Sequence, residues 1–200
     1  MGASIYSHEF YEPRPGRDWR GALQLQITRE NSLLQQALRI DPAWGAEAQR
    51  QLREEFRHSL PVMVMAEDRQ DPANRVSLTR DVEPDGLPGV RIDYALSDDT
   101  RRALDFGLDR AEELLRAAGA FRVVRVPLAP YTGWHLLGTA RMGDDPKTSV
   151  TDRRGRLHDV PNVLVTDGSL FPTVGAVNQG VTIGALALRI ADGLAPDTAR

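Results

Sequence analysis

The sequence contains no cysteine, and only one of its 25 basic residues, Lys147, is a lysine. The lack of cysteine excludes disulfides, thiolate zinc sites, iron–sulfur ligation and a cysteine nucleophile. The 200 residues carry a formal net charge of -3, and the basic residues are spread along the chain. A nucleic-acid-binding role is therefore excluded, because it requires a concentrated basic surface.

Long hydrophobic runs are also missing. Residues 62–66 are typical of the longest runs, whereas a helix that spans a bilayer needs ~18 or more apolar residues. The first thirty residues contain acidic side chains and arginines but no apolar core of the signal-peptide type. We therefore expect no membrane segment in this chain, and a cytoplasmic location is the default expectation. The length allows one domain, or one domain and part of another.

Histidine is scarce, with only His8, His58, His135 and His158 present. No two of them have the spacing that lets a pair of imidazoles bind one metal ion from the same helix. The sequence therefore predicts no metal site of this local kind, and ligands distant in sequence remain an alternative. His58 lies beside the apolar stripe of a predicted helix and is interpreted as a surface histidine.

Hydrophobic periodicity divides the chain into three parts. Residues 1–60 are predicted to form an irregular arm to about Arg20, a strand around 23–27 with one buried face, and a helix that begins at residues 41–42. The apolar stripe of that helix consists of Trp44, Ala48, Leu52 and Phe56. We assign this part, together with the next, to a substrate domain.

Residues 61–130 form the middle part, in which a short apolar run at 62–65 predicts a buried strand. Alternating runs at 76–78 and 90–96 follow, and turn-forming residues separate the three runs. This pattern predicts an antiparallel sheet. A helix capped by residues 97–100 and ended by Gly119 is expected to pack across that sheet. Its predicted apolar stripe is Leu104, Leu108, Ala111, Leu115 and Ala118. Residues 121–128 are predicted to form one more strand.

Residues 131–200 are rich in Gly, Asp, Thr and Pro and have little periodicity, which is typical of functional loops. Two elements are predicted within them. Residues 163–165 predict a buried parallel strand that ends at a ligand, and residues 183–194 predict a C-terminal helix.

His135 lies in a segment with three glycines in eleven residues, GWHLLGTARMG. Glycines permit sharp bends and close approach of the backbone to a ligand. An imidazole held there suits general acid–base catalysis near neutral pH. The alternative is a core histidine beneath a loop.

Two further segments place polar groups at the ends of predicted elements. Asp167 and Gly168 follow the predicted strand, where a carboxylate can accept ribose or ribityl hydroxyls and a glycine lets the backbone approach a phosphate; a plain turn is the alternative. Asn178 precedes the last helix, where it can donate to an alkoxide or only cap the helix. Ser169 lacks the Gly-x-Ser-x-Gly elbow, so a serine hydrolase that uses Ser169 and His135 is poorly supported.

These segments contain four motifs in a fixed order: a histidine before Gly-Thr-x-x-Met, then Val-x-Asp, then Asp-Gly-Ser-x-x-Pro-Thr, then an asparagine before a helix start that contains threonine. They lie in GWHLLGTARMGDDPKTSVTD and GRLHDVPNVLVTDGSLFPTVGAVNQGVTIGALALRIADGL. This order resembles the C-terminal part of the glucose–methanol–choline (GMC) flavin oxidoreductases. Upstream, DPANRVSLTRDVEPDGLPGVRIDYALSDD is similar to the segment that begins the substrate region of that family. The resemblance covers roughly residues 62–195.

The resemblance implies an FAD-dependent oxidation of an alcohol, often a sugar or polyol. It implies that His135 takes the hydroxyl proton while hydride leaves for flavin N5, and that Asn178 helps to hold the substrate oxygen. Asp167 and Gly168 match the flavin-contacting block. Asn178, Gln179 and Thr182 would meet the cofactor from the helix start.

The sequence departs from the family pattern in two small respects and one large one. Ala140 stands where relatives often have cysteine, and Gln179 stands where proline is common. The larger departure is that the Gly-x-Gly-x-x-Gly dinucleotide fingerprint is nowhere in the sequence. We therefore expect an N-terminal FAD-binding part to be supplied by a longer polypeptide or by a partner chain.

The predicted fold is α+β, with an antiparallel substrate-domain sheet that carries helices on one face. Residues 131–200 would add active-site loops and the C-terminal strand and helix of an FAD-binding domain whose Rossmann core is absent from this chain. The alternative function is a non-catalytic remnant or binding module that lacks flavin.

Overall fold

The computed structural model describes residues 4–28, 45–56, 58–128, 133 and 135–194. The chain divides into two compact units, each built from two stretches of sequence. Unit 1 takes Met1–Glu67 and Asp99–Thr132, and unit 2 takes Asp68–Asp98 and Gly133–Arg200. Within the described ranges, no helix combines the length and the apolar character needed to cross a membrane.

Unit 1 contains a three-stranded antiparallel sheet of β1 (Ser4–Ser7), β2 (Leu23–Thr28) and β3 (Val62–Ala66), in the order β1-β2-β3. The prediction of a strand around residues 23–27 is confirmed. Its expected single buried face is wrong, because Gln24 is as buried as Leu23 and Leu25. The opening arm is also not irregular throughout, since β1 lies within it and gains its order from pairing with β2.

Helix α1 (Ala46–Glu55) also belongs to unit 1 and follows Gly45, which has a positive φ of 78°. The predicted helix start at residues 41–42 and the stripe residue Trp44 lie outside the described residues. None of the helix residues is fully buried. His58, just beyond the helix, is exposed and its Nδ1 lies 3.0 Å from the carbonyl of Glu54, which confirms it as a surface histidine.

Helix α2 (Asp98–Ala117) packs on the three-stranded sheet. The helix is present as predicted, but only β3 of the sheet predicted within residues 61–130 lies beneath it, because β4 and β5 form a separate sheet. The predicted contact face is right only at Ala111, which is buried, because the other buried residues of α2 are Thr100, Ala103 and Gly107. These small side chains bring the helix backbone close to the sheet, where a Cβ at Gly107 would overlap Val64 and approach Leu23 Cδ1 to 2.9 Å. The predicted leucines are half-buried, and Ala118 is exposed.

The end of α2 is as predicted. Gly119 has a φ of 92°, and its N–H donates to the carbonyl of Arg116 at 2.9 Å. The N–H of Ala120 donates to the carbonyl of Leu115 at 3.0 Å. This is the hydrogen-bond pattern of a glycine-terminated helix, in which a left-handed residue lets the last carbonyls find donors.

The strand predicted at residues 121–128 is wrong, because these described residues join neither sheet. Phe121 is 93% exposed. Arg122 forms an ion pair with Glu55, and Arg125 forms one with Glu112 at 2.6 Å. The β propensity of the segment is not realised because no strand in the described part of the chain lies beside it.

Unit 2 contains a two-stranded antiparallel hairpin of β4 (Arg75–Val82) and β5 (Pro88–Asp93). The antiparallel prediction is confirmed, but the strands form two sheets rather than one, and β5 ends before the predicted residue 96. The cross-strand pairs Val76–Ile92 and Leu78–Val90 share one face. All four side chains are more than half exposed, so no described residue covers this face.

The remainder of unit 2 consists of loops, a short 3-10 helix (Gly168–Leu170) and helix α3 (Gly180–Asp192). The C-terminal helix is therefore confirmed. The buried parallel strand predicted at residues 163–165 is wrong, since a single antiparallel bridge joins Leu164 to Arg156. The Val165 N–H donates to the carbonyl of Gly155 at 2.8 Å, so this run folds back on residues 155–157. The fold class, α+β with antiparallel sheets, is as predicted.

Candidate active site

The segment that follows His135 is hydrogen-bonded to the 3-10 helix. The N–H groups of Gly138, Ala140 and Met142 donate to the carbonyls of Gly168, Ser169 and Leu170 at 3.2, 2.9 and 2.8 Å. We call these three hydrogen bonds the ladder. His135 lies three residues before its first donor and has an exposed side chain. The ladder therefore brings the segment of the predicted base beside the predicted cofactor block at Asp167 and Gly168.

Gly168 joins this ladder to helix α3. It is buried, and a Cβ added to it would overlap Leu137 and lie 3.2 Å from Ile183 Cδ1. Leu137 belongs to the His135 segment, and Ile183 belongs to the first turn of α3. The three segments predicted to carry chemistry thus meet at Gly168, where any side chain would separate them.

The N-terminus of α3 has no side-chain cap within the described part of the chain. Gln179 is the N-cap residue but makes no capping hydrogen bond; its side chain is 5% exposed and donates to the carbonyl of Val174 at 2.9 Å. Asn178 and Thr182 are exposed, and a Cβ built at Gly180 would meet nothing within 4 Å. The first amides of a helix carry a partial positive charge, so this end suits an electron-rich ligand.

Asp167 caps the 3-10 helix. Its Oδ1 accepts from the Ser169 N–H at 2.8 Å and from the Ser169 hydroxyl at 2.5 Å. These hydrogen bonds hold the pKa of the Asp167 carboxyl below its ordinary value. The Ser169 hydroxyl is thereby committed to a carboxylate, an arrangement unlike a serine nucleophile paired with a histidine base.

A second layer of hydrogen bonds supports the ladder from the other side. Thr151 is fully buried, and its hydroxyl donates to the carbonyl of Ala140 at 3.2 Å. Ser149 Oγ donates to the carbonyl of Asp145 at 2.7 Å and lies 2.9 Å from His158 Nε2. Because the hydroxyl proton goes to that carbonyl, His158 is the donor to Ser149. These residues lie within the quoted motif segments, but the sequence reasoning gave Ser149, Thr151 and His158 no structural role.

Gln70 was missed as well. Its Nε2 donates to the carbonyl of Phe171 at 2.6 Å, across 101 positions of sequence. The same side chain fills the space that a Cβ at Gly138 would take. Only the folded chain brings these residues together, so no local sequence signal pointed to Gln70.

Comparison with known proteins identifies the family. Residues 70–187 match the family model described as GMC oxidoreductase, in the C-terminal part of that family. The chain belongs to the GMC oxidoreductase family. The matched residues contain the hairpin of unit 2, the ladder, the 3-10 helix and most of α3.

The relatives of the chain are longer enzymes. The chain is 36% identical over 198 residues to 2-methyl-1,2-propanediol dehydrogenase of Mycolicibacterium austroafricanum, which covers 96% of this chain and 36% of the relative. It is 42% identical over 139 residues to paromamine 6'-oxidase of Streptomyces fradiae, over 69% of this chain and 26% of the relative. The GMC chain thus spans about a third of these relatives or less.

Two further proteins are similar to the chain at lower identity. The structure matches pyridoxine 4-oxidase from Mesorbium loti with a TM-score of 0.58 and 18% identity, over 88% of this chain and 35% of that chain. This match concerns the fold. The chain is also 25% identical to the gluconate 2-dehydrogenase flavoprotein of Pantoea cypripedii, over 72% of this chain and 25% of the relative.

The residues at the meeting point fit one side of an FAD site. A flavin ring accepts hydrogen bonds at its carbonyl oxygens and ring nitrogens, and the uncapped start of α3 with exposed Asn178 and Thr182 offers donors. The open space at Gly180 lets a planar group approach the backbone. Among the described residues, no three acidic or histidine side chains are grouped as metal ligands.

Proposed function

We propose that this chain is the C-terminal portion of an FAD-dependent enzyme that oxidises a hydroxyl group of a small alcohol or sugar. The observation that carries this proposal is that three segments meet at Gly168. They are the His135 segment, the cofactor block at Asp167 and Gly168, and the start of α3. Membership of the GMC family supports it. The names of two relatives, a dehydrogenase and an oxidase, support it as well.

His135 is the proposed base, and Asn178 is the proposed donor to the substrate oxygen. Hydride leaves more readily from an alkoxide than from an alcohol, so a base and an oxygen-stabilising donor belong on the same substrate atom. His135 accepts the hydroxyl proton as the O–H bond breaks. Asn178 then donates a hydrogen bond to the oxygen that carries the developing charge. Both side chains are exposed on unit 2.

FAD, when bound, supplies the acceptor for the hydride and its electron pair, so that the alcohol becomes a carbonyl compound as the flavin is reduced. Asn178, Thr182 and the first amides of α3 are proposed to hold its flavin end. The side chain of Gln179 is bound to Val174, so the contribution of Gln179 rests on its place at the helix start. Asp167 and the backbone of Gly168 are proposed to contact the remainder of the cofactor.

The rest of the enzyme is proposed to come from an N-terminal FAD-binding part, in the same polypeptide or as a partner chain. The coverage of the relatives supports this proposal, because the chain matches only 36% of one relative and 26% of the other. The exposed apolar surfaces support it too. They are the hairpin face of β4 and β5, residues 121–128, and Val181 and Leu188 of α3. Such surfaces in soluble proteins mark places where another element binds.

The experiment uses the complete assembly, meaning this chain together with its FAD-binding part. We expect a bound-flavin absorbance spectrum that alcohols bleach in the absence of oxygen. Asn178→Ala is expected to slow the bleaching by ~10²-fold, which is the usual scale for loss of one donor to a developing oxyanion. Asn162→Ala serves as the control, because Asn162 is exposed and lies outside the proposed site.

An assembly that binds no flavin, or a flavin that no alcohol bleaches, would contradict the oxidoreductase proposal. Those outcomes would favour the non-catalytic binding module. Equal rates for the Asn178→Ala and Asn162→Ala variants would contradict the role of Asn178 alone.

A further inference from the structure

We propose that Gln70 is a positioning residue that fixes the His135 segment against the cofactor block, an inference that rests on the proposed function. Its Nε2 donates to the carbonyl of Phe171 at 2.6 Å. Phe171 is the residue that ends the 3-10 helix. The same amide group lies where a Cβ of Gly138 would project, with Gln70 Cγ 3.1 Å from that position. One side chain therefore contacts both segments.

The Gln70 side chain contacts the ladder at Gly138, where the ladder hydrogen bond is longest. Gly138 has a φ of 83°, a conformation that side-chain-bearing residues rarely adopt. Its N–H donates to the carbonyl of Gly168 at 3.2 Å, the longest of the three ladder bonds, and it lies three residues after His135. Gln70 packs beside Gly138, which forms this longest bond, and donates a hydrogen bond to Phe171 at the end of the 3-10 helix. It thereby limits the sliding of the His135 segment along the cofactor block.

The contact with Phe171 needs a hydrogen-bond donor, which the Gln70 amide supplies and a carboxylate cannot. A leucine keeps much of the volume but removes the donor. A glutamate keeps the length and shape, and regains a donor only when its carboxyl group is protonated. The three side chains thus separate packing from hydrogen bonding.

Two measurements test the proposal. In the 200-residue chain, hydrogen exchange is followed at the amides of Gly138, Ala140 and Met142. Gln70→Leu is expected to speed their exchange by ~10-fold, the scale of one lost hydrogen bond. In the FAD-loaded assembly, the same variant is expected to lower the limiting rate of flavin reduction by ~10-fold, with the substrate concentration for half-maximal rate changed by less than about twofold.

The Gln70→Glu variant adds a signature that packing alone does not produce. Its ladder amides are expected to exchange faster than in the parent near neutral pH. After correction for intrinsic exchange, they should regain protection as the pH approaches about 4, where glutamate side chains protonate. The Gln70→Leu variant should show no such recovery. Gln49→Leu, on the exposed face of α1, is the control and should match the parent in both measurements.

Ladder exchange within twofold of the parent for Gln70→Leu would overturn the inference, as would faster exchange with unchanged flavin reduction. An absence of acid recovery in Gln70→Glu would overturn the hydrogen-bonding part. Failure of the proposed function is distinguishable, because it would abolish bleaching of the parent assembly while leaving the exchange measurements on the chain readable.

Discussion

The same substitution in two helices is expected to have opposite effects on stability. Gly107→Ala in α2 and Gly184→Ala in α3 both replace a helical glycine by the best helix former, which gains up to ~1 kcal/mol of helix propensity. At Gly184 a Cβ meets nothing within 4 Å. At Gly107 a Cβ would overlap Val64 and lie 2.9 Å from Leu23 Cδ1. The packing term therefore decides the sign.

The magnitude follows from how little the neighbours of Gly107 can move. Leu23 is fully buried in the unit 1 core, and Val64 is β-branched and held in the middle of β3. Overpacking of such a site costs ~1–3 kcal/mol, and the gain in helix propensity offsets up to ~1 kcal/mol of it. We therefore expect Gly107→Ala to lower the free energy of unfolding by ~1–2 kcal/mol. Gly184→Ala is expected to gain up to ~1 kcal/mol.

The assay is urea unfolding of the 200-residue chain, followed by circular dichroism. The expected result is a lower midpoint for Gly107→Ala and an equal or higher midpoint for Gly184→Ala, with unchanged slopes. Stabilisation by Gly107→Ala would refute the packing of α2 on the sheet. Destabilisation by Gly184→Ala of more than ~1 kcal/mol would show that this face of α3 is not open in the chain.

Three further outcomes are expected of the chain. Asp167→Ala should lower the free energy of unfolding by ~1 kcal/mol at neutral pH, as loss of a cap does. Because the folded pKa of Asp167 is lowered, this difference should fade as the pH falls through that pKa; a constant difference would contradict the cap. Ser149→Ala and His158→Ala should show a coupling of ~1 kcal/mol in a double-mutant cycle of unfolding, and strict additivity would show that the 2.9 Å contact contributes nothing. Sedimentation velocity should show self-association of the isolated chain that weakens in a Leu78→Lys, Ile92→Lys variant; a monomeric parent would mean that the exposed hairpin face does not drive association.

The elements with a strong local signal were predictable from the sequence. The end of α2 follows from Gly119, because glycine adopts at little cost the left-handed conformation that ends a helix. The contact face of α2 was not predictable from hydrophobicity, because the sheet selects small residues such as Ala103 and Gly107 over the leucines beside them. Residues 121–128 have the composition of a strand, but a strand also needs a neighbour, and the described residues supply none.

In the candidate site, too, residues with a sequence motif were predictable and residues that depend on long-range contacts were not. Motif order along the sequence named His135, Asp167 and Asn178, and the structure brings their segments together at Gly168. The supporting residues had no such signal. Gln70 lies 101 positions from the carbonyl that it binds, and its contact depends on how the whole of unit 2 folds.

The measurement that tests the central claim most directly is the single-turnover rate of flavin reduction by an alcohol in the FAD-loaded assembly with His135→Ala. The matched control is His58→Ala, a surface histidine of unit 1. Loss of a general base costs ~10²-fold or more in rate, so we expect that loss for His135→Ala and a rate within about twofold of the parent for His58→Ala. Reduction at the parent rate in the His135→Ala assembly would contradict the assignment of His135 as the base.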